Sequence, residues 1–176
     1  LKIDKYIAVI FSAFEKAVDA LGGVDIALTD AELAEVTRTS SRPSATSEAG
    51  VYHLNGAQSL AYSRIRNLDS DFGRNNRQRK MIQAMFSEAK GMSIGQLNTL
   101  LNEVLPEVRT NMTPNELTGF AINSVTYFSY SMEETYYLPQ SGTYSAKIDS
   151  SIGWVMLFND PVKAITDLHK FIYSLE

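Results

Sequence analysis

Two consecutive glycines, Gly22 and Gly23, separate an apolar-rich run beginning at Tyr6 from a β-branched stretch over residues 24–28. A helix rarely continues through such a pair, because glycine costs backbone entropy and favours the left-handed turn that ends helices. The order helix, glycine turn, strand is therefore set before any other residue is considered. The pattern predicts a helix over residues 4–21 with Asp4 as its N-cap, and a strand over residues 24–28. Ser12, Glu15, Lys16 and Asp19 form only a narrow polar stripe, so this helix is expected to be buried on more than one side.

Further start and stop signals divide the rest of the chain. Residues 37–50 are rich in Ser, Thr, Pro and Gly and read as an exposed loop. Asn55 with Gln58 three positions on is a capping-box pattern, opening a helix that should fray near Arg64. A helix is expected over residues 74–90, stopped at Gly91, and another over residues 94–108. Thr113, Pro114 and Glu116 are cap, first-turn proline and capping-box partner of a fifth helix, running to about Phe128. Asn159 or Asp160 caps a last one. Strands are expected at residues 133–138 and 154–158. Many helices and few strands give an α/β class with a small mixed sheet surrounded by helices.

A chain of 176 residues, 44% hydrophobic, fits a single domain with a real core. Without cysteine it has neither disulfides nor a thiolate nucleophile or metal site. Only two histidines occur, far apart, which disfavours a His-rich metal site. His53 is expected to pack or cap near the second helix and His169 to lie at the surface. Trp154 is expected in the core, and the tyrosines between Tyr127 and Tyr144 in strand packing. The net charge of −4 argues against a general nucleic-acid binder. The most apolar stretch, residues 6–14, is too short to span a bilayer, and a membrane anchor upstream of residue 1 remains compatible with the sequence.

Against that acidic background, Arg64, Arg66, Arg74, Arg77, Arg79 and Lys80 gather six of the sixteen basic residues into one short stretch. Such a concentration offers a site for an anion. Arg64 and Arg66 are two apart and would point the same way in extended chain. On the next helix, Arg74, Arg77 and Gln78 share a face at three- and four-residue spacing, continued by Met81, Ile82 and Met85. A face that begins cationic at a helix N-terminus and becomes apolar suits an amphiphile with an anionic head. Plain core packing for the methionines and isoleucine, and surface salt bridges for the arginines beside Asp69 and Asp71, are the competing readings.

At these residues the chain resembles the LytR-CpsA-Psr family. The likeness rests on Leu54-Asn55-Gly56, on residues 61–66 (Ala-Tyr-Ser-Arg-Ile-Arg), on the Asp-rich loop from Asp69 to Gly73, and on Arg74 through Gln78. Upstream it continues through residues 3–6, Phe14 and residues 19–25; downstream it weakens beyond residue 110. The resemblance implies a three-layer α/β domain around an apolar tunnel, here lacking its N-terminal part across residues 1–176. It implies a phosphotransferase that moves a glycopolymer, of teichoic acid or capsular polysaccharide type, from a polyprenyl-pyrophosphate carrier to peptidoglycan. Arg64, Arg66, Arg74 and Gln78 would contact the phosphates and Asp71 would orient the arginines. Arg77 matches the motif and would join the substrate-binding set. Phe11, Phe14, Val18, Met81, Ile82 and Met85 would line the tunnel. The family implies Mg2+, but nothing here matches its ligands, so no metal residue is expected in this chain and the chain alone is expected to be inactive. Location at the extracytoplasmic face of the membrane or in the wall, through an upstream anchor, is implied too, with no nucleic-acid partner. A non-catalytic polyprenyl-phosphate-binding module and a transcriptional regulator are the alternative functions. The acidic balance and the lack of a clear helix-turn-helix speak against the regulator.

Overall fold

The computed structural model describes residues 3–123, 126–127, 129–130 and 136–173. Two compact units are present, one covering Ile3–Ser131 and the other built on the described residues from 136 to 173.

The first unit runs β1 (Ile7–Val9), α1 (Phe11–Ala20), β2 (Val24–Ala27), α2 (Asp30–Thr39), β3 (Ser44–Ala45), β4 (Val51–Leu54), α3 (Gly56–Ser63), α4 (Asp71–Lys90), α5 (Ile94–Val104), a 3-10 turn (Leu105–Glu107), β5 (Val108–Thr110) and α6 (Pro114–Ile122). Its centre is the antiparallel sheet β2-β4-β3. On β2, Val24 and Ile26 are buried while Asp25 and Ala27 are exposed, the alternation a one-sided strand requires. Val18 from α1, Leu33 and Val36 from α2, Leu54, Tyr62 from α3, Ile65 and Met81 from α4 close the core over that face. Burying each large apolar side chain contributes about 1.5–3 kcal/mol.

Capping follows the sequence closely. Asn55 accepts from the Gln58 N–H at 3.0 Å, and the Asn55 N–H donates to the Gln58 side chain at 2.9 Å. Thr113 and Glu116 are paired the same way at the start of α6. A third box, Thr29 with Glu32, opens α2, a helix that composition alone conceals because its last turn merges with the Ser- and Thr-rich segment. Of that segment, residues 37–39 are helical and residues 44–45 pair as β3; the remainder is irregular and mostly exposed.

The start of α1 differs from expectation. Asp4 is not the N-cap of α1, a position that Ile10 holds: the Asp4 carbonyl accepts from the Asn111 amide at 2.9 Å, and residues 7–9 pair antiparallel with β5. Two β-branched residues in three favour a strand where a partner strand is available, so the helix begins only at Phe11. Nor is α1 buried on several sides. Ala13 and Val18 are fully buried, but Ile7, Val9, Ile10 and Phe11 are about half exposed. The expected helix over 94–108 likewise stops at Val104, and α6 ends at Ile122; Phe128 lies outside the described residues.

The second unit contains the antiparallel hairpin β6 (Tyr144–Asp149) and β7 (Gly153–Phe158), followed by α7 (Pro161–Tyr173). Asp160 caps α7, accepting from the Lys163 N–H at 2.9 Å. Trp154 is not core: it stands opposite Ile148 and is 73% exposed. A two-stranded sheet has no second layer of its own to cover it. Of the expected strand at 133–138, residues 133–135 lie outside the described residues and 136–138 are irregular. Tyr144 is in a strand, whereas Tyr136 packs on Phe171 of α7 with ring centres 5.0 Å apart. His169 is half-buried, edge-on to Tyr173. Across both units the α/β class holds, with the described β structure divided among three small antiparallel sheets.

Two tight contacts tie the first unit together. Gly56 lies so close to α1 that a Cβ there would stand 2.3 Å from the Glu15 carbonyl oxygen. Replacing Gly56 with Ala must push two backbones apart and is expected to lower stability by about 1–3 kcal/mol in urea unfolding. His53 stands opposite Asp25 across β2 and β4, its Nδ1 2.6 Å from the Asp25 carboxylate and its Nε2 2.9 Å from the Gly22 carbonyl oxygen. Both ring nitrogens thus face acceptors, which favours the imidazolium. The Asp25 hydrogen bond raises the imidazole above its ordinary value, with burial opposing and the Gly22 carbonyl assisting. The stability this pair adds is complete below about pH 6.5 and is lost as pH rises through the raised folded value. Asp25→Asn should therefore cost more at acid than at alkaline pH. Because both side chains are about half exposed, the cost stays under about 1 kcal/mol. Chemical denaturation at the two pH values, with an NMR titration of the His53 ring, measures it.

Candidate anion-binding site

The basic stretch begins where α3 ends. Its N-terminus is fixed to α1, the Gly56 N–H donating to Asp19 Oδ1 at 2.7 Å. Arg64 is the C-cap, and there the chain leaves helical geometry. Ile65 then plunges into the core at 5% exposure, leaving Arg64 and Arg66 exposed on either side of it. Both line one cleft of about 480 Å³ together with Glu15 of α1, Glu35, Thr39 and Ser40 at the end of α2, and Asn67. The Arg64 guanidinium lies over the Phe11 ring, 4.7 Å from its centre, and neither Arg64 nor Arg66 has a carboxylate partner among the described residues.

Arg77 behaves differently from the expected shared face. It is 3% exposed and turned inward. Its guanidinium holds both Asp69 oxygens at 2.7 and 2.8 Å, donates to the Ile65 carbonyl at 2.9 Å, and stands 3.6 Å from Glu32. The Asp69 hydrogen bond raises Arg77 further, and the same bond holds the Asp69 carboxyl below its usual range. The reason lies in helical spacing. Arg77 and Met81 form the inward stripe of α4, with Ala84 and Met85 packed against the core beyond them, while Arg74, Gln78 and Ile82 form a separate stripe. Arg77 thus braces the Arg64–Arg66 segment from behind.

On the outer stripe, Arg74 pairs with Asp71 at 2.8 Å. The Gln78 amide donates to the Ser63 carbonyl at 3.3 Å, bringing that residue beside the end of α3. Arg74 and Gln78 do not line the cleft that holds Arg64 and Arg66. The α4 N-terminus is also less open than the sequence suggests: a Cβ on Gly73 would meet the Asp69 carboxylate at 2.0 Å, so that carboxylate already lies against the first turn. Of the residues assigned to an apolar channel, Val18 and Met81 are sealed in the core at 0% and 1% exposure and present no surface to a ligand. Phe14 and Met85 pack against that core, while Phe11 and Ile82 are more than half exposed.

The sequence reading missed Glu32, Glu35 and Asn67, and it placed Asp69 in a surface salt bridge rather than against the buried Arg77. Glu35 accepts from Arg38 and, at 2.7 Å, from Asn67; these bonds, Arg38 first, hold its carboxyl low. The Thr29-x-x-Glu32 box was the available signal, since a helix placed there puts Glu35 one turn on.

The chain belongs to the LytR-CpsA-Psr family, whose model matches residues 1–154. Over 128 residues it is 30% identical to the polyisoprenyl-teichoic acid–peptidoglycan teichoic acid transferase TagV of Bacillus subtilis, covering 71% of this chain but 32% of that protein. Among solved structures, protein gbs0355 of Streptococcus agalactiae is 22% identical with a TM-score of 0.77, covering 100% of this chain and 59% of that one. TagT bound to LIIa-WTA is 20% identical with a TM-score of 0.70, covering 99% and 62%. These likenesses support the fold. The chain spans about a third of the length of TagV.

The buried brace and the outer pair should separate in mutagenesis. Arg77→Met leaves Glu32 and Asp69 without their cation and is expected to cost about 3 kcal/mol. Arg74→Ala breaks a pair whose carboxylate is 79% exposed and should cost under about 1 kcal/mol. Urea denaturation compares them, and amide exchange at residues 64–66 should accelerate only in the Arg77 variant.

Proposed function

We propose that this chain is the phosphate-binding part of a transferase that moves a glycopolymer from a polyprenyl-pyrophosphate carrier to peptidoglycan. One observation carries the reading. Arg64 and Arg66 stand exposed around a buried Ile65, with no ion-pair partner among the described residues, on a segment that a third arginine braces. A guanidinium without a carboxylate is available to a phosphate, and each can bind two oxygens. Arg74 and Gln78, on the adjoining stripe, would extend the anionic site, Arg74 after exchanging Asp71 for a phosphate oxygen. The exposed Phe11 and Ile82 would meet the first isoprene units. The activity for which TagV is named and the LIIa-WTA bound to TagT agree in chemistry with this assignment.

In phosphoryl transfer the protein's task is chiefly positioning and charge stabilisation. Arginines fixed before the reaction hold the carrier phosphates and stabilise charge moving toward the leaving group. The acceptor hydroxyl is the nucleophile, so no nucleophilic side chain is needed. The family's Mg2+ does not fit the described residues: no three potential ligands cluster, and Asp69 and Asp71 are engaged by Arg77 and Arg74. The chain by itself is expected to be inactive in transfer. Its place is the extracytoplasmic face of a bacterial membrane; none of the described helices is long and apolar enough to cross one.

Farnesyl pyrophosphate, titrated calorimetrically into this chain, tests the head-group site. Arg64→Ala and Arg66→Ala should each weaken binding by about tenfold or more, the loss of a charge-assisted hydrogen bond. Lys80→Ala, an exposed cation outside the site, should leave it unchanged. Absence of binding, or equal losses for all three variants, rejects the assignment.

A further inference from the structure

Asn55 and Gly56 form the chain's only asparagine–glycine pair. In this dipeptide the side-chain amide is most easily attacked by the next backbone nitrogen, because glycine puts no Cβ in the way. The fold cannot dispense with either residue. Asn55 is the N-cap of α3, and at Gly56 a Cβ would stand 2.3 Å from the Glu15 carbonyl oxygen. A chemically labile pair is thus built in at the point where α3 meets α1. Asn55 is exposed, so water reaches its side chain, while Gly56 is buried.

Three hydrogen bonds hold the pair in an unreactive shape. The Gly56 N–H donates to Asp19 Oδ1 at 2.7 Å. A carboxylate on that proton opposes its loss, and the nitrogen must lose it to react. The Asn55 side-chain oxygen accepts from the Gln58 N–H at 3.0 Å, which keeps the amide carbon over the first turn of α3. The Asn55 carbonyl accepts from the Ser59 N–H at 2.8 Å. Attack would have to eclipse the Asn55 Cβ with the Gly56 nitrogen about the Cα–C bond. Asn55 is extended instead, at ψ 179°. Turning that bond takes the Gly56 N–H off Asp19 and the Asn55 carbonyl off Ser59, so reaction waits on a local opening at the start of α3.

We propose that Asn55 is a spontaneous deamidation site gated by the α1–α3 contact, with Asp19 as its latch. In the open state the Gly56 nitrogen bonds to Asn55 Cγ. The side-chain nitrogen leaves as ammonia, taking the Gly56 proton with it. Water then opens the cyclic imide at one of its two carbonyl–nitrogen bonds, giving aspartate or isoaspartate, with no change in oxidation state. The two products differ for the fold. Aspartate caps a helix as well as asparagine does. Isoaspartate adds a methylene to the main chain directly before Gly56, where the Asp19 hydrogen bond and the Glu15 approach leave no room for it. It therefore frees the start of the helix whose other end is Arg64.

Site-resolved mass spectrometry of this chain, kept at body temperature and slightly alkaline pH, follows Asn55 over time. In the folded parent the residue should deamidate at least about tenfold more slowly than in the same chain unfolded by urea, a comparison that needs no variant. Asp19→Ala should raise the folded rate about tenfold, as loss of a hydrogen bond to a charged group would. Asp19→Asn, which keeps an acceptor oxygen without the charge, should raise it less, and replaces the alanine variant if a thermal melt shows the latter unfolded. Lys80→Ala should not alter the rate. The isolated isoaspartate form should melt below Asn55→Asp, and Asn55→Asp should melt with the parent. A folded parent that deamidates as fast as the unfolded chain overturns the proposal. So do folded Asp19 variants that react no faster than the parent, and an isoaspartate form as stable as Asn55→Asp.

Discussion

A guanidinium buried to 3% exposure is the constraint on which the site depends. Arg77 is a charge placed where charge is costly, and it is tolerable there because Asp69 meets it with two oxygens and the Ile65 carbonyl takes a further donor. These bonds join the loop before α4 to the end of α3. They also fix the backbone between two other arginines whose side chains face outward. A cluster that reads in sequence as one patch of positive charge holds groups with opposite duties: Arg77 is neutralised internally, whereas Arg64 and Arg66 have no carboxylate partner among the described residues. Mutual repulsion among them is reduced because the innermost carries its own counter-ions.

Much of this was legible residue by residue. Asn55 with Gln58 and Thr113 with Glu116 define helix starts through local bonds alone, which sequence spacing captures. The Gly22-Gly23 turn and strand β2 follow from backbone preference and alternation. The class was likewise readable, and so was the end of a helix near Arg64, since α3 stops at Ser63. What failed did so for non-local reasons. Asp4 has the chemistry of a cap, yet a strand 100 residues away claims Ile7–Val9. Trp154 sits in the strand expected for it, but exposure depends on what covers a sheet, and no local pattern encodes that. Arg77, Arg74 and Gln78 satisfy the same helical spacing. Of the three only Arg77 lies on the stripe of Met81 that the core covers, and Asp69, close against Gly73, supplies its counter-ion.

Glycine matters here chiefly through proximity. At Gly56 and Gly73 the missing side chain admits, respectively, a neighbouring helix backbone and a carboxylate. Each approach sets one side of the basic segment: the first fixes α3 against α1, and the second seats the counter-ion of Arg77. The site is therefore shaped as much by absent atoms as by the charged groups that line it.

The exposed–buried–exposed order of Arg64, Ile65 and Arg66 has a consequence for how such a chain can vary. With the middle residue anchored in the core, the two flanking side chains are locked in phase, and inserting or deleting a residue within the triplet would swap an arginine for the anchor. The connection between Asn67 and Asp69 bears no such phase requirement. Length changes can accumulate there while the triplet keeps its spacing, so the rigid grammar of the segment is three residues long and the rest is punctuation.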